Sequence, residues 1–134
     1  MGVGHGVGGR VKPVVAVAPI AADSAQTSAA IDRLGYYSAV LYVPNGAATG
    51  TPSSYTVNAK ITQCDTSNGQ FDDVAGLTIS QLDANGEIGE LDIDLRPLKR
   101  YIKVVVTPAL SGGSSPKALI GAVLVLGDAQ REPV

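Results

Sequence analysis

Aromatic residues are scarce: the chain has no tryptophan, one phenylalanine and five tyrosines, so any core must be assembled from aliphatic side chains. Histidine and cysteine occur once each, as His5 and Cys64. A single imidazole without partners at fixed spacing supplies neither a nucleophile–base pair nor the usual zinc ligand set. A single thiol closes no intrachain disulfide, so the fold relies on packing, and a lone thiol suits assembly in a reducing cytoplasm. Charge is thin as well. Charged residues make up 16% of the chain, against about a quarter in ordinary soluble domains. The formal net charge of −2 leaves no positive footprint for nucleic acid or an anionic membrane. No run approaches the roughly 18 apolar residues that a membrane-spanning helix needs.

What is present is aliphatic residues and turn formers. The chain has 134 residues, of which 45% are hydrophobic, which fits one domain with a full core. Sixteen glycines and eight prolines in that length call for many turns and short strands. The expected fold is all-β, an antiparallel, jelly-roll-like sandwich of about eight strands over residues 13–134, preceded by an extended arm over residues 1–12. The paucity of surface charge beside abundant Ala, Ser, Thr and Gly points to a surface covered by partners.

The arm reads GVGHGVGG from Gly2 to Gly9. Ordering each residue costs roughly 1–2 kcal/mol, and glycine loses the most freedom while offering no side chain in return. A neighbouring subunit or a larger shell is therefore expected to hold it, with Gly4, His5, Gly6, Arg10 and Lys12 as contact residues. Arg10 and Lys12 before the apolar run Pro13–Ala22, with Ala22-Asp-Ser-Ala25 following, have the outline of a secretory leader. Pro13 and Pro19 argue against that, and the run is expected to stay in the fold. Those two prolines confine Val11–Ile20 to a sheet edge or to a strand docked on a partner.

Further along, Tyr55–Gln63 alternates, with Tyr55, Val57, Ala59 and Ile61 on one face and Thr56, Asn58, Lys60 and Thr62 on the other, the mark of a half-buried antiparallel strand. Leu77–Leu82 and Glu90–Leu95 flank Asn85-Gly86, a hairpin signal. Leu91, Ile93 and Leu95 are expected to point inward, Asp92 and Asp94 outward. In Tyr101–Thr107, Ile102, Val104 and Val106 share a face. Ala118–Leu126 is apolar on both faces, which fits a central strand or one covered by a neighbour. Asp23–Ala30 reads as a loop or a single helical turn.

Chemistry-bearing motifs have plainer explanations. Gly4, Gly6 and Gly9 fit G-x-G-x-x-G but lack the strand before and helix after that a dinucleotide site requires. Asp83-Ala-Asn85-Gly86-Glu87 has the outline of a calcium loop, yet its glycine is fourth rather than sixth. Asp92 and Asp94 share a strand face, where solvation explains them better than a cation. No cofactor and no metal is expected, and the absence of G-x-S-x-G, Walker A and C-x-x-C patterns argues against an enzyme. The densest positive patch is Arg96, Lys99, Arg100 and Lys103. It is either an interface to an acidic surface or a polar strand face with Lys103 beside Asp92 and Asp94. Tyr36-Tyr37 places one tyrosine in the core and the other at the surface as an interface candidate.

Several segments together resemble a family of small tailed-phage virion proteins. They are Ile31-Asp32-Arg33-Leu34-Gly35-Tyr36-Tyr37-Ser38-Ala39, the acidic-turn-Phe segment Asp65–Phe71, the strand from Lys99 through Tyr101 to Thr107, the run Gly121–Gly127, and Arg131-Glu-Pro-Val134. The resemblance covers most of the chain after residue 28 and leaves out the glycine arm. It implies a β-sandwich akin to head decoration (cement) proteins, which sit on the capsid as dimers or trimers, and carries over no catalytic residue. The implied partners are the major capsid protein and further copies of the chain, the implied place is the virion surface after assembly in the host cytoplasm, and the implied action is passive stabilisation of capsomer contacts. A carbohydrate-binding jelly-roll module, and a head–tail connector or tail subunit, are the alternatives. The scarcity of aromatics for stacking on sugar rings counts against the first of these.

Overall fold

The computed structural model describes residues 7–129, beginning with a short 3-10 turn at Val7–Gly9. Nine strands follow among the described residues: β1 Val11–Ala22, β2 Gln26–Thr27, β3 Ile31–Asp32, β4 Tyr36–Thr49, β5 Ser54–Cys64, β6 Asp72–Leu82, β7 Ile88–Asp94, β8 Tyr101–Ser111 and β9 Lys117–Ala129. They form an antiparallel sandwich. The first sheet runs β1-β9-β4-β7, and the second runs β2-β8-β5-β6, with β3 also paired to β8.

Period-two alternation explains which side each strand buries. Val57, Ala59 and Ile61 of β5, and Ile102, Val104 and Val106 of β8, enter the core from the second sheet. Leu41 and Val43 of β4, Ile93 of β7, and Ile120, Leu124 and Leu126 of β9 meet them from the first. The buried core is wholly aliphatic, and Tyr36 and Tyr55 pack only at its margin. The proline-bearing β1 lies at the edge of the first sheet, one of the two placements its prolines allow, and Pro13–Ala22 is a strand of the sandwich.

The segment at Asp23–Ala30 is more extended than its composition suggests. Gln26 and Thr27 pair with Val106 and Val105, and Ser28, buried, continues the contact. Its Oγ accepts a hydrogen bond from the Val104 amide at 2.9 Å and donates to the Ala29 carbonyl at 2.8 Å. A serine hydroxyl can thus satisfy β8 where a regular strand partner ends.

The Asn85-Gly86 turn does not close a hairpin. β6 pairs with β5 in the second sheet and β7 pairs with β4 in the first, so the turn carries the chain from one layer to the other. Local turn chemistry set the bend, with Gly86 at φ +87°, but long-range pairing decided the sheets. Buried Asn45 of β4 anchors the crossover. Its amide donates to the Glu87 carbonyl at 2.8 Å, its carbonyl accepts from the Gly86 amide at 2.7 Å, and its Nδ2 donates to the Ala84 carbonyl at 3.1 Å. Gly89 then lets the layers close, because a Cβ there would lie 2.8 Å from Ile79 Cγ2.

Candidate docking surface

The same alternation sends a second set of residues outward, and the two outer faces differ. On the second sheet, Asn58 and Lys60 of β5 stand across from Thr107 and Val105 of β8, with Thr78 of β6 facing Lys60 from the other side. Lys60 bridges to Asp73 at 2.8 Å, and the Asn58 side chain accepts the Gln81 amide at 2.6 Å. That face is mainly polar.

On the first sheet the outward positions are Pro13 and Val15 of β1, Val123 and Val125 of β9, and Val40 and Tyr42 of β4. Val15 faces Val123, which faces Tyr42 on its other side, while Pro13, Val125 and Val40 form the adjoining row. Val15 is 64% exposed and Leu119, farther along β9, is 46% exposed. Gly46 makes room for Leu119, since a Cβ at that glycine would sit 2.9 Å from the leucine side chain. The aliphatic row spans three strands, half-buried at Val40, Val123 and Val125 and exposed at Val15 and Leu119. Val11, Val40 and Val125 also line a shallow open depression at one end of this face.

The apolar row ends at β7 in a line of carboxylates. Glu90 faces Tyr42 and Asp92 faces Val40. The Glu90 charge pushes the Tyr42 phenol above its ordinary pKa, helped by partial desolvation and, more weakly, by Asp92. Asp94, next along the strand, is held by Arg96 through Nε–Oδ1 and Nη2–Oδ2 bonds of 3.0 Å each, which keeps its carboxyl below the usual range. Among the described residues, Glu90 and Asp92 have no ion-pair partner.

The basic residues Arg96, Lys99, Arg100 and Lys103 do not act as one patch. Arg96 is committed to Asp94, Arg100 makes a bidentate pair with Asp32, and Lys99 lies 3.9 Å from Asp65. Lys103 stands over the Phe71 ring, 4.5 Å from its centre. Its expected place beside Asp92 and Asp94 is therefore wrong, because those aspartates belong to the first sheet and Lys103 to the second. The acidic partners Asp32 and Asp65 are distant in sequence, so only the fold brings them to Arg100 and Lys99.

Of the tyrosine pair, Tyr36 packs on the core margin and Tyr37 is 44% exposed beside the depression. Arg10 is exposed next to the first turn, and Lys12 is exposed within β1. Gly4, His5 and Gly6 lie outside the described residues, as does Arg131–Val134. The calcium-like Glu87 turns its carboxylate to backbone, accepting the amides of Asp83 at 2.8 Å and Ala84 at 3.3 Å. Among the described residues no three His, Cys, Asp or Glu side chains are grouped to hold a metal ion, and no helix is long and apolar enough to cross a membrane.

Sequence alternation thus contains the candidate surface, but only as the outward half of strands read for their inward half. Apolarity on both faces of Ala118–Leu126 was its visible signal. The matching rows from β1 and β4 needed the strand order.

No protein-family model and no curated protein sequence matches the chain. Among solved structures, the chain is similar to the PBSX exported protein XepA, at 16% identity and a TM-score of 0.61, covering 95% of this chain and 39% of that one. It is also similar to the SPBc2 prophage-derived protein YomS, at 13% identity and a TM-score of 0.49, covering 86% of this chain and 92% of the other. The VP2 subviral particle of infectious bursal disease virus matches at 15% identity and a TM-score of 0.49, covering 88% and 32%. The likeness to XepA is one of fold, and the chain spans about two fifths of that protein's length.

Proposed function

We propose that this chain is a non-enzymatic structural protein of a phage virion, a decoration protein that lies on the outside of the head and adds contacts between capsomers. The observation that carries the reading is the contrast between the sandwich's two outer faces. One is mainly polar; the other is aliphatic, with Val15 and Leu119 exposed and Val40, Val123 and Val125 half-buried between them. A rigid body with one flat apolar face is built to lie on another protein. A phage-derived protein of the same fold, XepA, supports the phage setting.

In this reading the first sheet rests on the major capsid protein, and further copies of the chain are its neighbours. Tyr37 and Arg10 lie at the margin of the contact, and the glycine-rich leader with Gly4, His5 and Gly6 reaches across to a neighbouring subunit. Each contact is modest, but repetition over the shell multiplies its effect. Mixing purified chain with heads that lack it, followed by co-sedimentation and cryo-EM, tests the idea. Density repeated across the shell is expected. Density confined to the vertex or tail would transfer the protein to the connector class, and failure to sediment with heads would end the proposal.

A further inference from the structure

The free edges of the two sheets are not alike. β1 carries Pro13 and Pro19 and two register breaks against β9. β6 carries two register breaks against β5 and positive φ at Gly76 and Gln81. β2 is two residues long. Proline, bulges, shortness and charged side chains are the usual ways of making an edge unfit to pair. β7 has only the last, in Glu90, Asp92 and Asp94, and carboxylates deter a like-charged strand but not a basic one. Its register with β4 runs unbroken from Ser38↔Asp94 to Pro44↔Ile88, and no strand pairs with its other side among the described residues.

The backbone groups that face this open side can be assigned. The Leu95 amide donates to the Tyr37 carbonyl at 2.9 Å, and the Asn45 amide donates to the Glu87 carbonyl at 2.8 Å. These bonds bracket β7 and fix its odd-numbered residues as the ones bonded to β4. In an antiparallel ladder the intervening residues turn their N–H and C=O groups the other way. Ile88, Glu90, Asp92 and Asp94 therefore hold the free donors and acceptors. The same residues point their side chains outward, beside the apolar row of the first sheet.

We infer that β7 receives an added antiparallel strand from a partner protein, and that this strand carries lysine or arginine at two alternate positions followed by an apolar residue. Read from its N-terminus, the partner places cations opposite Asp92 and then Glu90, and its apolar side chain opposite Ile88, which is 59% exposed. Asp94 already has Arg96 and asks for no further charge. Directly opposed cross-strand charges attract when unlike and repel when like.

That electrostatic pattern excludes the simplest alternative, a two-fold pairing of β7 with β7 of a second copy. Only even-numbered residues bear free backbone groups, so the two strands must meet even to even. One register sets Asp92 against Asp92 and Glu90 against Asp94; the next sets Glu90 against Asp92 twice. Either way carboxylates oppose carboxylates. The inference concerns this edge alone and holds whether or not the surface docked against is a phage head.

The test uses the full chain and a synthetic peptide, acetyl-Thr-Val-Lys-Val-Lys-Thr-Ile-Thr-amide. Amide chemical-shift mapping locates the peptide, and anisotropy of a labelled version gives its affinity. The largest shifts and new hydrogen-exchange protection are expected at Glu90 and Asp92. Exchanging both lysines of the peptide for glutamate should weaken binding by about tenfold or more, as should methylating the peptide amides that face β7. The double variant E90K/D92K should lose the lysine peptide and gain the glutamate one, and this reversal also shows that the variant is folded. Equal binding of the N-methylated peptide would mean charge attraction without strand addition and would overturn the inference. So would shifts clustered away from β7, or no binding at all.

Discussion

Asp32 stands where β3 gives way to the turn into β4, and three groups converge on its carboxylate. Arg100 donates through Nε to Oδ1 at 3.1 Å and through Nη2 to Oδ2 at 2.8 Å, and the Leu34 amide donates to Oδ1 at 3.0 Å. The adjacent Arg33 guanidinium bonds the main-chain carbonyls of Leu98 and Lys99, so Asp32 and Arg33 together tie the β3–β4 turn to the β7–β8 loop. The bonds from Arg100 hold the Asp32 carboxyl below its ordinary value of 3.8, against a smaller opposing effect of burial. A depressed carboxyl pKa contributes stability that is complete above the unfolded-state value and is lost as pH falls through the folded-state value. Asp32→Asn should therefore melt at a lower temperature than the parent at neutral pH. The gap should narrow as pH falls below about 4, the ordinary carboxyl range, and vanish once the parent aspartate is protonated. The effect should be small, because the pair is substantially exposed and screened by solvent. Thermal melts of both proteins from neutral pH down to about pH 2 would check the sign; a gap that does not change with pH would place the role of Asp32 outside its charge.

At the scale of the element, the strand pattern was legible wherever one side of a strand was buried. Alternation located β5, β7 and β8 together with their inward residues, and two prolines placed β1 at an edge. What period-two alternation cannot encode is which sheet a strand joins. The Asn85-Gly86 turn has hairpin chemistry, yet β6 and β7 part company because each has a longer ladder elsewhere, with β5 and with β4. β2 and β3, at two residues each, are too short to show a period at all. The crossover makes its own prediction. Gly89 is the point where β7 passes under β6, with Ile79 Cγ2 at 2.8 Å and Leu82 Cδ1 at 3.1 Å from any added Cβ. Gly89→Val would push two layers apart, an overpacking that costs roughly 1–3 kcal/mol. Denaturant unfolding should show a lowered midpoint with an unchanged slope, whereas a parent-like midpoint would mean that the layers relax without loss.

For the molecule as a whole, the question is why a sandwich with a complete aliphatic core leaves a second aliphatic layer outside it. The core needs only the inward row of the first sheet, Leu41, Val43, Ile120, Leu124 and Leu126, each no more than 2% exposed. Val40, Val123 and Val125 lie on the other side of the same strands and add nothing to that interior. If the outer face is the contact proposed above, stability and docking are carried by alternate residues of one sheet and can be separated by substitution. The double variant Val123→Lys and Val125→Lys should still fold, with stability lowered by only about 1 kcal/mol per site, since both side chains are half-buried on a central strand but lie outside the core. On heads, the same variant should lose most of its occupancy, because two buried cations without partners would lie at the centre of the contact. Leu124→Ala makes the converse case: it should lower stability by about 2–5 kcal/mol through a core cavity while leaving the docking face chemically intact. If the lysine variant still decorated heads at the parent's level, the apolar face would not be the contact, and the outward valines would need another partner to explain them.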